Sequence, residues 1–128
     1  MAAVLLAAVP GTAFADAFTW GENSYGELAD TTYTDRSTPV AADTSGVLGG
    51  KTLTTISTGG GFVLTLGSDG KAFGWGNNWH GNVGNGAANP SEPPVEVDMT
   101  GVLSGKRIIA VAAGYEHSLA LTDDGKVY

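Results

Sequence analysis

Cysteine is absent, which excludes a disulfide framework, a thiolate zinc site and a cysteine nucleophile. Lysine and arginine are scarce, 6 against 13 acidic residues, giving a formal net charge of −7 and a pI near 4.4. Phosphate binding draws its affinity from those cations, so the chain is a poor prospect for nucleic acid and none is expected as a partner. Histidine occurs twice, as His80 and His117, without the H-x-x-x-H spacing of a zinc site. Charged residues make up only 15% and hydrophobic residues 42%, which excludes a disordered polyelectrolyte. Proline is sparse at 5, whereas glycine is abundant: 20 of 128 residues, about twice ordinary usage. That combination reads as an all-β chain with many tight turns.

No apolar run reaches the roughly 20 residues that a membrane span needs. The longest, Ala2 to Val9, is followed by Pro10-Gly11 and by small residues at Ala13 and Ala15. Residues 1–15 therefore read as a secretory signal peptide cleaved after Ala15, although no Lys or Arg precedes the apolar run. The mature chain would begin at Asp16, be exported, and carry no membrane span.

An internal repeat organises the rest. Shifted by 55 residues, Phe18–Phe73 lies over Phe73–Tyr128 without a gap and with 19 identities in 56 pairs. Phe18, Trp20, Gly21 and Asn23 meet Phe73, Trp75, Gly76 and Asn78, and Asp69-Gly70-Lys71 meets Asp124-Gly125-Lys126. Residues 16–72 thus form a first repeat and 73–128 a second. A fixed period of this length indicates stacked units, none of which buries its own faces.

Each period carries short, evenly spaced strand signals. Strand A is the apolar run Ile108 to Ala113, with Leu53 to Thr58 as its counterpart. Strand B, His117 to Thr122, alternates large apolar residues with small ones. Asp124-Gly125 predicts a hairpin turn of type I′. Strand C follows at Lys71 to Trp75, a long Gly/Asn/Pro-rich loop at 76–93, and strand D at Pro94 to Met99. Four short antiparallel strands describe one blade of a β-propeller.

The pattern Trp75-Gly76-x-Asn78-x-x-Gly81-x-Val83-Gly84-x-Gly86, then Gly114-x-x-His117-Ser118-Leu119-Ala120-Leu121 and Asp124-Gly125-x-Val127-Tyr128, resembles the regulator of chromosome condensation repeat. The resemblance covers Phe18 to Tyr128. It implies a seven-bladed propeller, and a founder that exchanges guanine nucleotide on the GTPase Ran. It also implies secreted bacterial members, such as propeller-type β-lactamase inhibitory proteins, that bind through blade loops. In the first repeat Ala29 and Thr31 replace Gly84 and Gly86, and Phe62-Val63 replaces His117-Ser118. About two blades are present where propellers typically have four to eight, and Tyr128 falls within a strand, so the chain reads as the N-terminal part of a longer protein.

Strand parity sends the A–B and C–D loops to one face and the B–C and D–A loops to the other. The first face gathers residues 22–38, 59–62, 76–93 and 114–117, with Glu22, Glu27, Asp30, Asp35, Glu92 and Glu116 against Arg36 alone. The second face balances its charges. The acidic face also holds Tyr25, Tyr33, Trp79, His80 and Tyr115, aromatic types enriched at interface hot spots. Tyr25, Tyr33, Trp79, His80, Tyr115 and Glu116 are therefore the candidate residues for a protein partner, and a basic patch on that partner would be steered to this face. Trp20 and Trp75 read as packing residues.

His117 and Ser118 point to opposite faces of a strand and form no nucleophile–base pair. Gly81 to Gly86 lacks the Lys of a phosphate-binding loop, and Asp123-Asp124-Gly125 lacks the alternating ligands of a calcium loop. No enzyme, metal or cofactor is expected. The leading reading is an exported protein-binding propeller. A guanine nucleotide exchange factor and a structural or glycan-binding scaffold are the alternatives.

Overall fold

The computed structural model describes residues 3–8 and 15–128, with side chains from Ala17 onward. Three antiparallel sheets follow one another along the chain. The first orders β1 (Ala3–Ala8), β2 (Ala15–Gly21) and β3 (Arg36–Ala41). The second is a four-stranded meander of β4 (Leu53–Thr58), β5 (Phe62–Gly67), β6 (Ala72–Asn78) and β7 (Asn89–Glu96). The third pairs β8 (Ile108–Ala113) with β9 (Ser118–Thr122), and Val127 bridges to Leu121 as a third strand begins. The four-stranded blade expected over 53–99 is present, and both A strands have the expected bounds.

Alternation of side chains explains why the sheets must stack. Opposed Val63 and Trp75 point to one side of the middle sheet with Phe73, and Leu64, Leu66 and Ala72 to the other. The first group packs with Leu53 against Ala29 and Leu48 of the preceding unit. On the other side, Leu66 and Ala72 pack against Ile108 and Val111 of the next. A sheet buried on both faces is stable only between neighbours.

Several local expectations are corrected. Strand D begins at Asn89, not Pro94, and ends at Glu96, so the loop shrinks to residues 79–88. Strand B begins at Ser118 and leaves His117 outside. The Asp-Gly turns are not type I′, which needs two positive φ angles. Only Gly70 and Gly125 are left-handed, each following a tight turn closed to residue 67 or 122. Each turn is therefore a type I turn with a glycine bulge, another standard hairpin connection. Two 3-10 turns, Gly46–Leu48 and Gly101–Leu103, lie where no regular element is expected, and each buries its leucine.

Ala29 and Thr31 keep the left-handed backbone of the glycines they replace, at φ 50° and 64° against 80° at both Gly84 and Gly86. Such a conformation costs a residue with a Cβ roughly 1–2 kcal/mol. Thr31 is exposed and β-branched, so Thr31→Gly should stabilise the chain by about 1 kcal/mol. A lower denaturation midpoint would contradict that strain.

Ala3–Ala8, within the segment read as an export signal, lies antiparallel to β2 with Leu5 opposite Phe18. The cleavage signature at Ala13 and Phe14 falls outside the described residues. Among those described, no helix is long and apolar enough to cross a membrane.

Candidate functional site

The C–D loop of each unit is built around one buried asparagine. Asn78 Oδ1 accepts the Val83 amide (3.0 Å), and its Nδ2 lies 3.1–3.2 Å from the Asn85 and Asn89 side-chain oxygens and the Ala87 carbonyl. Asn23 repeats this one period earlier, accepting from Leu28 N (2.9 Å) and donating to Asp30 Oδ1 and the carbonyls of Thr32 and Thr34. The asparagines hold the loops that carry Tyr25, Tyr33, Trp79 and His80. Their identity across the repeat is the one sequence signal of that role.

The units are also tied to each other on this face. Trp75 is fully buried and donates its indole N–H to the Glu27 carbonyl (2.8 Å). Gly60 N donates to the Tyr115 carbonyl (3.0 Å). A Cβ on Gly59 would lie 2.2 Å from the Phe62 ring, and one on Gly114 would lie 2.3 Å from the His117 imidazole. His117 thus covers a glycine as Phe62 does, which is a packing role.

Between these loops lies a cleft of about 630 Å³, lined by Glu22, Tyr25 and Glu27 from one loop, Gly59 to Gly61 from the next, and Tyr115 and Glu116 from the third. Three loops from three successive sheets therefore converge on the face that strand parity selects. Among its described lining residues there are three carboxylates and no lysine or arginine. Glu27 is only 3% exposed, and its Oε2 accepts the Tyr25 amide at 2.8 Å. Burial pushes its carboxyl above the ordinary range and the charges of Glu22 and Asp35 push the same way, against backbone hydrogen bonds.

Of the six candidates, the structure brings Tyr25, Tyr115 and Glu116 together in this cleft. His80 joins through its Nε2, 3.7 Å from Glu116 Oε1. Trp79 stands beside it, 55% exposed, with its amide held by Asn77 Oδ1 (3.0 Å). Tyr33 stands apart in a second groove of about 160 Å³ with Ser91, Pro93 and Pro94. There Ser91 Oγ donates to the Tyr25 carbonyl (2.8 Å) and lies 3.3 Å from the Tyr33 hydroxyl. Sequence reasoning placed Glu22 and Glu27 on the face without selecting them.

The two faces differ in how their charges are neutralised. On the opposite face Lys51 pairs with Asp69 (2.7 Å), and one period later Lys106 pairs with Asp124 (2.5 Å), whose carboxyl falls to about 2. On the loop face Arg36 pairs with Asp30 (2.8 Å), leaving the cleft carboxylates without a lysine or arginine. Among the described residues no group of three or more His, Asp or Glu is arranged to hold a metal ion.

Residues 69–121 match the family model "Regulator of chromosome condensation (RCC1) repeat". The human E3 ubiquitin-protein ligase HERC2 is 31% identical over 119 residues, covering 91% of this chain and 2% of that protein. The mitochondrial RCC1 domain-containing protein RUG3 of Arabidopsis thaliana is 37% identical over 109 residues, 85% of this chain and 23% of its own length. The chain thus spans at most about a quarter of these relatives, and the ligase match is confined to the repeats. Among solved structures, Prp20p of Saccharomyces cerevisiae, described with its binding to Gsp1p and histones, aligns with a TM-score of 0.68 at 23% identity, over 89% of this chain and 26% of that one. The shared blade architecture, the repeat match and these relatives agree: the chain belongs to the RCC1 repeat family.

Proposed function

We propose that this chain is an exported protein-binding module that captures a partner through the face made by its A–B and C–D loops. The observation that carries this reading is the cleft on that face, where exposed Tyr115 and half-buried Tyr25 meet carboxylates that have no lysine or arginine beside them. Tyr115 and Trp79, 77% and 55% exposed, are large side chains that contribute little to the chain's own core, and such residues dominate interface energetics. The negative charge of the cleft favours a partner with a basic patch. The yeast relative in structure, reported with Gsp1p and histones, supports the fold as a platform for protein partners.

Export and strand pairing are alternative fates of Ala3–Ala8. Cleavage after Ala15 would remove β1 and leave the edge of β2 open. N-terminal sequencing of the protein from culture medium should begin at Asp16. An intact Met1 would overturn the export reading.

For binding, replacing Trp79 and Tyr115 together by alanine should reduce partner capture at least about 100-fold, since hot-spot truncations each cost 2 kcal/mol or more. The circular dichroism and denaturation midpoint should stay unchanged. Undiminished capture would place the interface elsewhere. Accelerated nucleotide release from a small GTPase would favour the exchange-factor alternative instead.

A further inference from the structure

The cleft carries a charge that its own walls do not balance. The Glu27 carboxylate draws on its own amide and on the Tyr25 amide, which donates to Oε2, whereas no side chain among the described residues donates to Oε1. That oxygen faces the space left by Gly61: a Cβ there would lie 3.5 Å from Oε1 and 3.3 Å from the Tyr25 ring. A Cβ on neighbouring Gly60 would meet the Tyr115 ring at 2.9 Å. Two adjacent glycines thus form a floor with a tyrosine at each side. A buried carboxylate calls for a cation or several donors, and tyrosine faces attract cations.

The nature of the cation follows from the spread of the carboxylates. Glu22 and Glu27 come from one loop and Glu116 from another, and the three are not gathered to hold a metal ion. A planar guanidinium presents five donors in a fixed fork, is weakly hydrated and stacks on aromatic rings, whereas an ammonium is a compact and strongly hydrated point charge. We infer that the cleft is a receptor for one arginine side chain of the partner, seated between Tyr25 and Tyr115 and paired with Glu27 and Glu116. This deepens the function proposed above, resting on it only for the arginine belonging to a protein.

The test titrates the full isotope-labelled chain with N-acetyl-arginine amide and with its neutral isostere, N-acetyl-citrulline amide. The arginine probe should shift the amide signals of Gly59, Gly60, Gly61 and Tyr115 and saturate, and the citrulline probe should bind roughly tenfold more weakly or worse. Glu27→Gln should weaken the arginine probe by a similar factor. Because Glu27 is buried, exposed Glu116 supplies a second variant, Glu116→Gln, with the same expected loss and an intact fold. Glu92→Gln, within β7 and lining the second groove rather than the cleft, should leave binding unchanged. Equal binding of citrulline, or equal weakening by Glu92→Gln, would overturn the inference in favour of diffuse surface charge. No saturable shift while capture still depends on Trp79 would overturn the arginine receptor alone. Saturable arginine binding with capture indifferent to Trp79 and Tyr115 would overturn the proposed partner face and leave the receptor standing.

Discussion

Replacing Trp75 by alanine should destabilise the protein by about 4 kcal/mol, a large share of the roughly 5–15 kcal/mol that ordinarily holds a domain folded. The side chain is fully buried with Val63, Phe73, Leu53, Leu48 and Ala29, residues drawn from both repeats. Truncation leaves a cavity at the seam between two sheets, where neither wall can collapse without shifting a whole strand. It also strands the Glu27 carbonyl, which accepts the indole N–H at 2.8 Å. Because Glu27 lines the cleft, the same substitution should loosen the candidate site before global unfolding. Denaturant titration followed by circular dichroism measures the first effect, and amide exchange at Tyr25 to Leu28 the second. Trp79→Ala is the matched control, expected within about 0.5 kcal/mol of the parent because its side chain is largely in solvent. Comparable midpoints for the two variants would mean that the seam is not where the repeats cohere.

Exchanging Asn78 for aspartate removes no volume, yet should cost about 3 kcal/mol or more at neutral pH. The amide nitrogen lies among three oxygen acceptors, from Asn85, Ala87 and Asn89. An ionised carboxylate would set a second oxygen against all three in a fully buried position. Asn78→Ala deletes the hydrogen bonds without adding charge, so it should be the milder change. The sign of the pH dependence separates the two. Burial without a cation raises the carboxyl pKa of the aspartate variant in the folded state above its unfolded value. The penalty is therefore fully developed above the folded pKa and shrinks as pH falls toward the unfolded one, where the neutral acid can donate a hydrogen bond. The alanine variant should lack this recovery relative to the parent. Stability measured across pH 4–8 checks it, and an aspartate variant as stable as the parent at neutral pH would remove the asparagine from its proposed place at the centre of the loop.

Much of the architecture was legible because strand formation and repetition are local. The apolar runs at 53–58 and 108–113 declare themselves in a few residues, and the 55-residue period follows from identities such as Trp20 with Trp75. The meander order then selects the loop face by parity alone. The boundaries that slipped were those decided by hydrogen bonds. β7 starts at Asn89 although it carries Pro90, Pro93 and Pro94, because only some of its amides are asked to pair with β6. The Asp-Gly turns adopt a glycine bulge where the dipeptide alone suggested another connection. The left-handed backbone at Ala29 and Thr31 shows the loop scaffold overriding residue preference, since the Asp43 amide still reaches the Ala29 carbonyl (2.7 Å) as Asp98 reaches Gly84 (2.8 Å).

By itself, then, the amino-acid order determined the repeating four-strand unit, its two-sided apolar surface and the acidity of one set of loops, since each depends on neighbours along the chain. Only the tertiary structure decided that Tyr25 and Tyr115 share a cleft floored by Gly60 and Gly61 while Tyr33 lies in another groove. It also decided that Glu27 is buried without a cation while Lys51 and Lys106 are each given one carboxylate. Those outcomes turn on distances of a few ångströms between loops of different sheets, which are set when the sheets stack and which no local pattern encodes.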